Sequence, residues 1–259
     1  MKRFFQQSYL SFKALFGWVD PVSYLFVKII TPIFQLVFFC MLADFLYTGK
    51  DIAKYVAGNA IILCSYNCIF GVGNILREER YFGTLKNTVA ALANTLSNFL
   101  NKIIIHIFDS LVTVFISLLA GIFIFNADFS AINIPAFILI ILCGIFSAAC
   151  MGLLLASFGL ITDSMNLILN IISVMFLVFT GANYPIEKLP AMLKPVSYLL
   201  PLTRSIALTK NLLAGESLIR NLSLFFGEFI IGVIYLVLGY IILRYCEKIA
   251  IKKGSLDIF

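Results

Sequence analysis

Charge is what this sequence has least of. Asp, Glu, Lys and Arg together make 12% of its 259 residues, against about 25% in an average soluble domain. A water-facing surface cannot be built from so few, and 61% of the chain is hydrophobic, more than a soluble interior of this size can hide. Histidine occurs once, at His106, so no histidine-based metal set or nucleophile–base relay is encoded. A glycine-rich phosphate loop is missing as well, which argues against an ATP site on this chain and against an enzyme. Cysteine is present six times but without a framework. Cys40, Cys64, Cys68, Cys143, Cys150 and Cys246 all fall in or at the ends of apolar runs, where thiols act as small hydrophobes.

What is there is a series of long apolar segments. A bilayer core about 30 Å thick takes about 20 helical residues. Runs of that kind occupy residues 22–46, 55–76, 103–125, 129–162, 164–183 and 222–243. The runs are continuous and do not alternate in period two, so helices are expected and a β-barrel is not. The fold class is therefore an all-α integral membrane protein with six transmembrane helices. Asp109 and Glu228 fall inside two of the spans, and intramembrane carboxylates are often functional, although a hydrogen-bonded structural role inside the bundle is the alternative. The fourth span carries Gly144, Ala148, Gly152 and Ala156 at intervals of four, a stripe that admits a close helix neighbour in the same chain or in another subunit.

The basic residues set the orientation. With six spans, Lys2, Arg3, Lys13, Lys28, Arg77, Arg80, Lys86, Lys102, Arg244, Lys248, Lys252 and Lys253 share one side, against Lys50, Lys54, Lys188, Lys194, Arg204, Lys210 and Arg220 on the other. The positive-inside rule places both termini in the cytoplasm of a multi-pass cell-membrane protein. Residues 1–18 lack a signal-peptide cleavage pattern. Phe5, Tyr9, Phe12 and Phe16 instead repeat at helical spacing beside Lys2, Arg3 and Lys13, the pattern of an amphipathic helix lying in the lipid interface.

Two further segments stand out. After the second span come Arg77-Glu78-Glu79-Arg80-Tyr81-Phe82-Gly83-Thr84-Leu85-Lys86, four consecutive charges and then aromatic and aliphatic side chains around a glycine. This spacing predicts a helix prolonged beyond the membrane, a turn at Gly83 and a short interfacial helix to about Leu96. The mixture of charge and exposed aromatics suits docking to a soluble partner better than a plain solvated loop, with a cap or brace of the second helix as the alternative role of Glu79 and Arg80. Residues 184–215 are punctuated by Pro185, Pro190, Pro195 and Pro201, yet stay apolar between them. Each piece is too short to span, so short helices that dip into the outer leaflet and return are expected.

Glu79-Arg80-Tyr81-Phe82-Gly83-Thr84-Leu85, together with Pro185-Ile186-Glu187-Lys188-Leu189-Pro190 and Tyr198-Leu199-Leu200-Pro201-Leu202-Thr203, resemble the permease subunits of ABC-2 type transporters, and the likeness covers essentially the whole chain. It implies that one ABC-2 type transmembrane domain fills residues 1–259. It also implies that 77–96 contributes a coupling helix against a separate ATPase subunit, and that 185–213 forms the outer re-entrant helices, with Pro185, Glu187, Pro190, Tyr198 and Pro201 among their residues. Two ATPase copies carrying ATP and Mg, and a second permease subunit, identical or homologous, follow from the same resemblance. No cofactor or metal on this chain and no nucleic acid are implied. Lys86 departs from the family, whose members commonly place a glutamate soon after the Gly-Thr-Leu triplet. The implied function is export of an amphiphilic drug, peptide or lipid-like cargo. Polysaccharide or lipid-linked glycan export, ion-coupled secondary transport through Asp109 or Glu228, and a non-transporting assembly module stay open beside it.

The orientation is testable. In a cysteine-depleted variant, single cysteines replacing Phe4, Phe82 or Gly254 should be shielded from an impermeant thiol reagent added outside intact cells, and those replacing Lys50 or Glu187 should react. Rapid outside labelling at position 82 would reverse the assigned topology.

Overall fold

The computed structural model describes residues 20, 22–23, 26–47, 51–85, 95–130, 132–162, 164–183 and 185–253. The expected interfacial helix at 1–18 lies outside them, as do residues 86–94 of the segment after the second span. Among the described residues there is no strand, and the chain is an all-α membrane protein.

A π-helical turn, Phe26–Ile30, runs into α1, Thr31–Tyr47. Helices α2, Ile52–Ser65, and α3, Gly71–Tyr81, are joined without a break by a second π turn, Tyr66–Phe70. Together they make a rod of 30 residues, about 45 Å long at 1.5 Å per residue and hence longer than the bilayer core is thick. Next come α4, Thr95–Phe125, and α5, Ile134–Phe158. Asn133 caps α5 by accepting the Ala136 N–H at 3.1 Å, and Pro135 sits in the first turn, where its missing N–H costs nothing. Helix α6 is Met165–Phe179, α7 is Lys194–Leu199, α8 is Thr203–Leu213 and α9 is Leu222–Lys253.

Among the described residues, five helices are long and apolar enough to cross a membrane: Lys28–Leu46, Ile52–Tyr81, Phe99–Phe125, Ile134–Phe158 and Ile219–Lys252. The sixth expected span, 164–183, contains a shorter helix of 15 residues, about 22 Å long. Its end has a local cause. Thr180 turns its hydroxyl back to the Phe176 carbonyl, and Gly181 then takes a φ of 78°, which reverses the chain before Pro185. Between Pro185 and Leu213 the four-proline segment forms a 3₁₀ turn at Ile186–Lys188 and the two short helices α7 and α8, in keeping with the expectation that no piece of it spans.

Helix α5 is the centre of the bundle. The small-residue stripe serves packing within the chain at both glycines. A Cβ on Gly144 would come 2.9 Å from Leu202 and Ser205 of the α8 region, and one on Gly152 would come 2.8 Å from Val72 of α3. Ala148 and Ala156 between them are wholly buried. The other side of α5 meets α9 along its length. There α9 supplies the clearance: a Cβ on Gly232 would lie 2.8 Å from the Phe146 ring and 3.1 Å from the Ser147 Cα, and one on Gly239 would lie 3.0 Å from the Leu154 backbone nitrogen. With lipid on the outside there is no hydrophobic gain in pairing helices, so close backbone approach and dispersion hold them together. Ser157 adds a polar stitch, its hydroxyl reaching Leu153 O at 3.0 Å and Gly239 O at 3.3 Å.

Because the neighbour of Gly239 is rigid main chain, Gly239→Leu should force α9 off α5 and cost about 1–3 kcal/mol. A lowered thermal midpoint in detergent is expected, whereas Ile241→Leu, on a face 57% exposed, should leave the midpoint unchanged. Equal midpoints for Gly239→Leu and the unmodified chain would show that this contact does not hold the pair.

Candidate functional site

At the Tyr81 end of the rod, α3 finishes as the sequence suggested. The Phe82 N–H still reaches Glu78 O at 2.9 Å, and Gly83 turns the chain with a φ of 66°. The side chains of this segment divide into two groups. Glu79 is buried and takes a hydrogen bond from Lys102 of α4 at 2.5 Å, Arg80 is buried beside it, and Leu85 inserts into the main core. Thr84 closes the turn by donating to Glu79 O at 3.2 Å. Tyr81 and Phe82, by contrast, stand 61% and 64% exposed, their rings edge to face at 5.4 Å. The charges that the sequence offered for partner contact therefore brace the helix, and the aromatic pair is what projects. The part-buried Glu79–Lys102 pair ties α3 to α4 at this end.

The same end is tied to its neighbours. Arg77 donates to Asn166 at the start of α6 at 3.4 Å, Gly73 lets Leu169 of α6 pack close, and Gly159, just past α5, lies against the Arg77 backbone. The Tyr81 end of the rod thus touches α4, α6 and the end of α5 together.

Asp109 lies midway along α4, away from both helix ends. It forms an ion pair with Lys28 from the π turn before α1, and Lys28 also donates to Asn67 Oδ1 at 2.9 Å. Asn67 belongs to the second π turn and donates in turn to Thr113 of α4. Both π turns therefore meet at one polar node joining three helices, and a π turn is a frequent means of aiming a side chain out of the regular ladder. His106 lies one turn away, buried, with its ring over Gly71. Sequence reasoning identified Asp109 but not Lys28 as its partner, because a pairing across 81 residues leaves no local pattern.

Glu228 is fully buried in α9. Its carboxylate accepts the Ser147 hydroxyl of α5, the Leu202 N–H at 2.7 Å and the Arg204 N–H at 3.3 Å. It caps α8 from a neighbouring helix, supplying the anion that a helix N-terminus favours. Leu202 is held there with a φ of 70°, a conformation that costs a non-glycine residue about 1–3 kcal/mol and persists only where the surroundings impose it. Of the other residues assigned to the re-entrant segment, Pro185 and Pro201 precede short helices. Glu187 and Pro190 are exposed, and Tyr198, 47% exposed, lies beneath the Arg204 guanidinium at 5.8 Å.

Sequence reasoning missed Lys210. It is a basic residue in the last turn of α8, donating to Gly181 O at 2.6 Å and Ala182 O at 3.1 Å with its ammonium 5.2 Å from the Tyr55 ring centre. Burial pulls this amine down to about 8, with nearby Glu187 opposing and Lys54 adding to the shift. Its only local signal was a lysine inside an otherwise uncharged helical turn. No group of His, Cys, Asp and Glu able to hold a metal ion occurs among the described residues, and the six cysteines are buried and unpaired.

Among curated proteins none matches this chain. A family model described as ABC-2 type transporter matches residues 12–213, which takes in the braced turn at Gly83, the Lys28–Asp109 node and the whole re-entrant segment, and stops before α9. With more than three quarters of its length so matched and an apolar helical bundle, the chain belongs to the ABC-2 type transporter family and is a membrane permease subunit of an ABC transporter.

Proposed function

We propose that this chain is the membrane half of an ATP-driven exporter that moves an amphiphilic drug, peptide or lipid-like cargo out of the cytoplasm. Two permease subunits would face each other across the path, and two ATPase subunits carrying ATP and Mg would dock beneath them, with both permease termini on that side. Family membership implies an ABC ATPase partner. The observation that carries the mechanism is the contrast at the rod's end: Tyr81 and Phe82 are exposed on a turn whose neighbours Glu79, Arg80 and Leu85 are buried. A soft or fully solvated loop would absorb a push; this one is fixed to α4 through Lys102 and to α6 through Arg77. ATP-driven closure of the ATPase pair would press on the aromatic tip and tilt α3 with its neighbours, biasing the bundle between two states by differential contact. Amphiphilic cargo is favoured by the 26 Phe and 11 Tyr, whose rings accept apolar groups along a path. Asp109 and Glu228 are both engaged inside the bundle, which supports structural roles over ion coupling.

Replacement of Phe82 by alanine should weaken recovery of the ATPase with the permease by about 5–150-fold, as for a central aromatic contact of 1–3 kcal/mol, while permease yield is kept. Gly83→Pro should uncouple ATP hydrolysis from cargo movement, because proline fixes φ near −65° and the turn needs a positive one. If crosslinks from position 82 never reach the ATPase in an active complex, the docking surface is misassigned. Robust cargo movement by this chain alone, driven by an imposed ion gradient in proteoliposomes, would defeat the ATP-driven reading.

A further inference from the structure

The re-entrant helix α8 is held at both ends, by different chemistry and to different parts of the bundle. Its N-terminal turn is bound through Leu202 and Arg204 to Glu228 of α9, which Ser147 of α5 also contacts. Its last turn is bound through Lys210 to Gly181 and Ala182 beyond α6, and over the ring of Tyr55 in α2. Ala182 itself rests on α2, where a Cβ on Gly58 would come 3.3 Å from it. So α8 bridges the α5–α9 pair on one side and, on the other, α2 with the chain just after α6, packing on α2, α5 and α9.

The two ties differ in how readily they can be undone. Glu228 is wholly buried, and its carboxyl group draws donors from two elements besides its own; freeing it would leave a buried polar group without partners. Leu202 has its left-handed backbone at that clamp, and its carbonyl takes the first helical bond of α8, from the Ile206 N–H at 2.8 Å. Lys210 has a long flexible stem, is only partly buried, and bonds to main-chain carbonyls just after the positive-φ glycine that ends α6. Glu187, exposed on the 3₁₀ turn, lies within electrostatic reach of the same ammonium and offers it a second partner.

We propose that Glu228 and Lys210 are the two positioning residues of α8, Glu228 as a fixed pivot and Lys210 as a releasable tie, so that α8 swings about its N-terminus when the far side of the path opens. This rests on the reading of the chain as an ATP-driven permease whose bundle moves between two states. The swing separates the α8 C-terminal turn from α2 and α6 and leaves its contact with α5 and α9 in place. In that scheme α9 and α5, locked by Gly232 and Gly239, carry the pivot as one body.

Hydrogen exchange read by mass spectrometry on the full chain in lipid nanodiscs tests this without ATPase or cargo. Lys210→Met should speed exchange by about tenfold in residues 208–214 and leave 202–206 as slow as in the unmodified chain. Lys210→Arg, which keeps a cation and several donors, should return 208–214 toward the unmodified rate. Glu228→Gln, which keeps the shape and one acceptor oxygen, should have the reverse effect, speeding 202–206 first. Uniform acceleration across 202–214 in Lys210→Met, or none at all, overturns the proposal, since α8 would then be held as one unit or not by Lys210. Should the permease fail to bind any ATPase, the functional reading falls, but the two-zone exchange pattern would still be measured on the chain alone.

Discussion

In a bilayer, a polar group that leaves water has only the protein itself to bind, and an unsatisfied one costs several kcal/mol. That constraint governs this structure from the backbone outward. It makes every span a helix, and it decides what happens where helices stop inside the bundle. The N-terminus of α8, its orphan amides turned inward, is closed by Glu228 of another helix. The carbonyls after α6, which has 15 residues and ends short, are closed by Lys210. The carboxylate midway along α4 is closed by Lys28. In each case an isolated charge would be untenable in lipid, and a partner from a distant part of the chain makes it acceptable.

These polar ties lie on a scaffold that needs no polarity. Gly144 and Gly152 of α5, and Gly232 and Gly239 of α9, let backbones approach until dispersion between main chains and side chains replaces the missing hydrophobic force. The result is a dense central unit, with α8 attached at one end of it and the α3 tip at the other. At the tip Glu79 and Arg80 are drawn inward, which leaves Tyr81 and Phe82 as the exposed side chains. Motion entering at the aromatic pair would pass along the rod through the π turn that carries Asn67, where the Lys28–Asp109 pair connects it to α1 and α4. Polar nodes at helix irregularities suit such a path, since they can exchange partners while the close-packed unit cannot deform continuously.

Much of this was legible beforehand. The apolar runs gave the spans to within several residues, except that α6 is shorter than its run, because the Thr180 hydroxyl and the positive φ of Gly181 act on the backbone where hydropathy does not register them. The turn at Gly83 was legible because glycine after a charged helix end marks a positive φ. Whether Glu79 and Arg80 dock a partner or brace the second helix was open in the sequence; both are buried, since α4 passes beside them with Lys102. Lys210 and Lys28 drew no notice as sites, each being a single basic residue beside an apolar run.

Composition and the lengths of apolar runs by themselves determined that this chain lives in lipid as a helical bundle, because solvent preference is summed residue by residue and needs no knowledge of neighbours. Tertiary structure alone decided which charges face each other: Lys28 with Asp109 across 81 residues, Glu228 with the α8 amides across 26 and 24, Lys210 with carbonyls 29 and 28 residues earlier. Coulombic and hydrogen-bonding partners are chosen by proximity in space, and in a bundle that proximity is set by how glycine-lined helices nest, a property of pairs of surfaces that no single stretch of sequence contains.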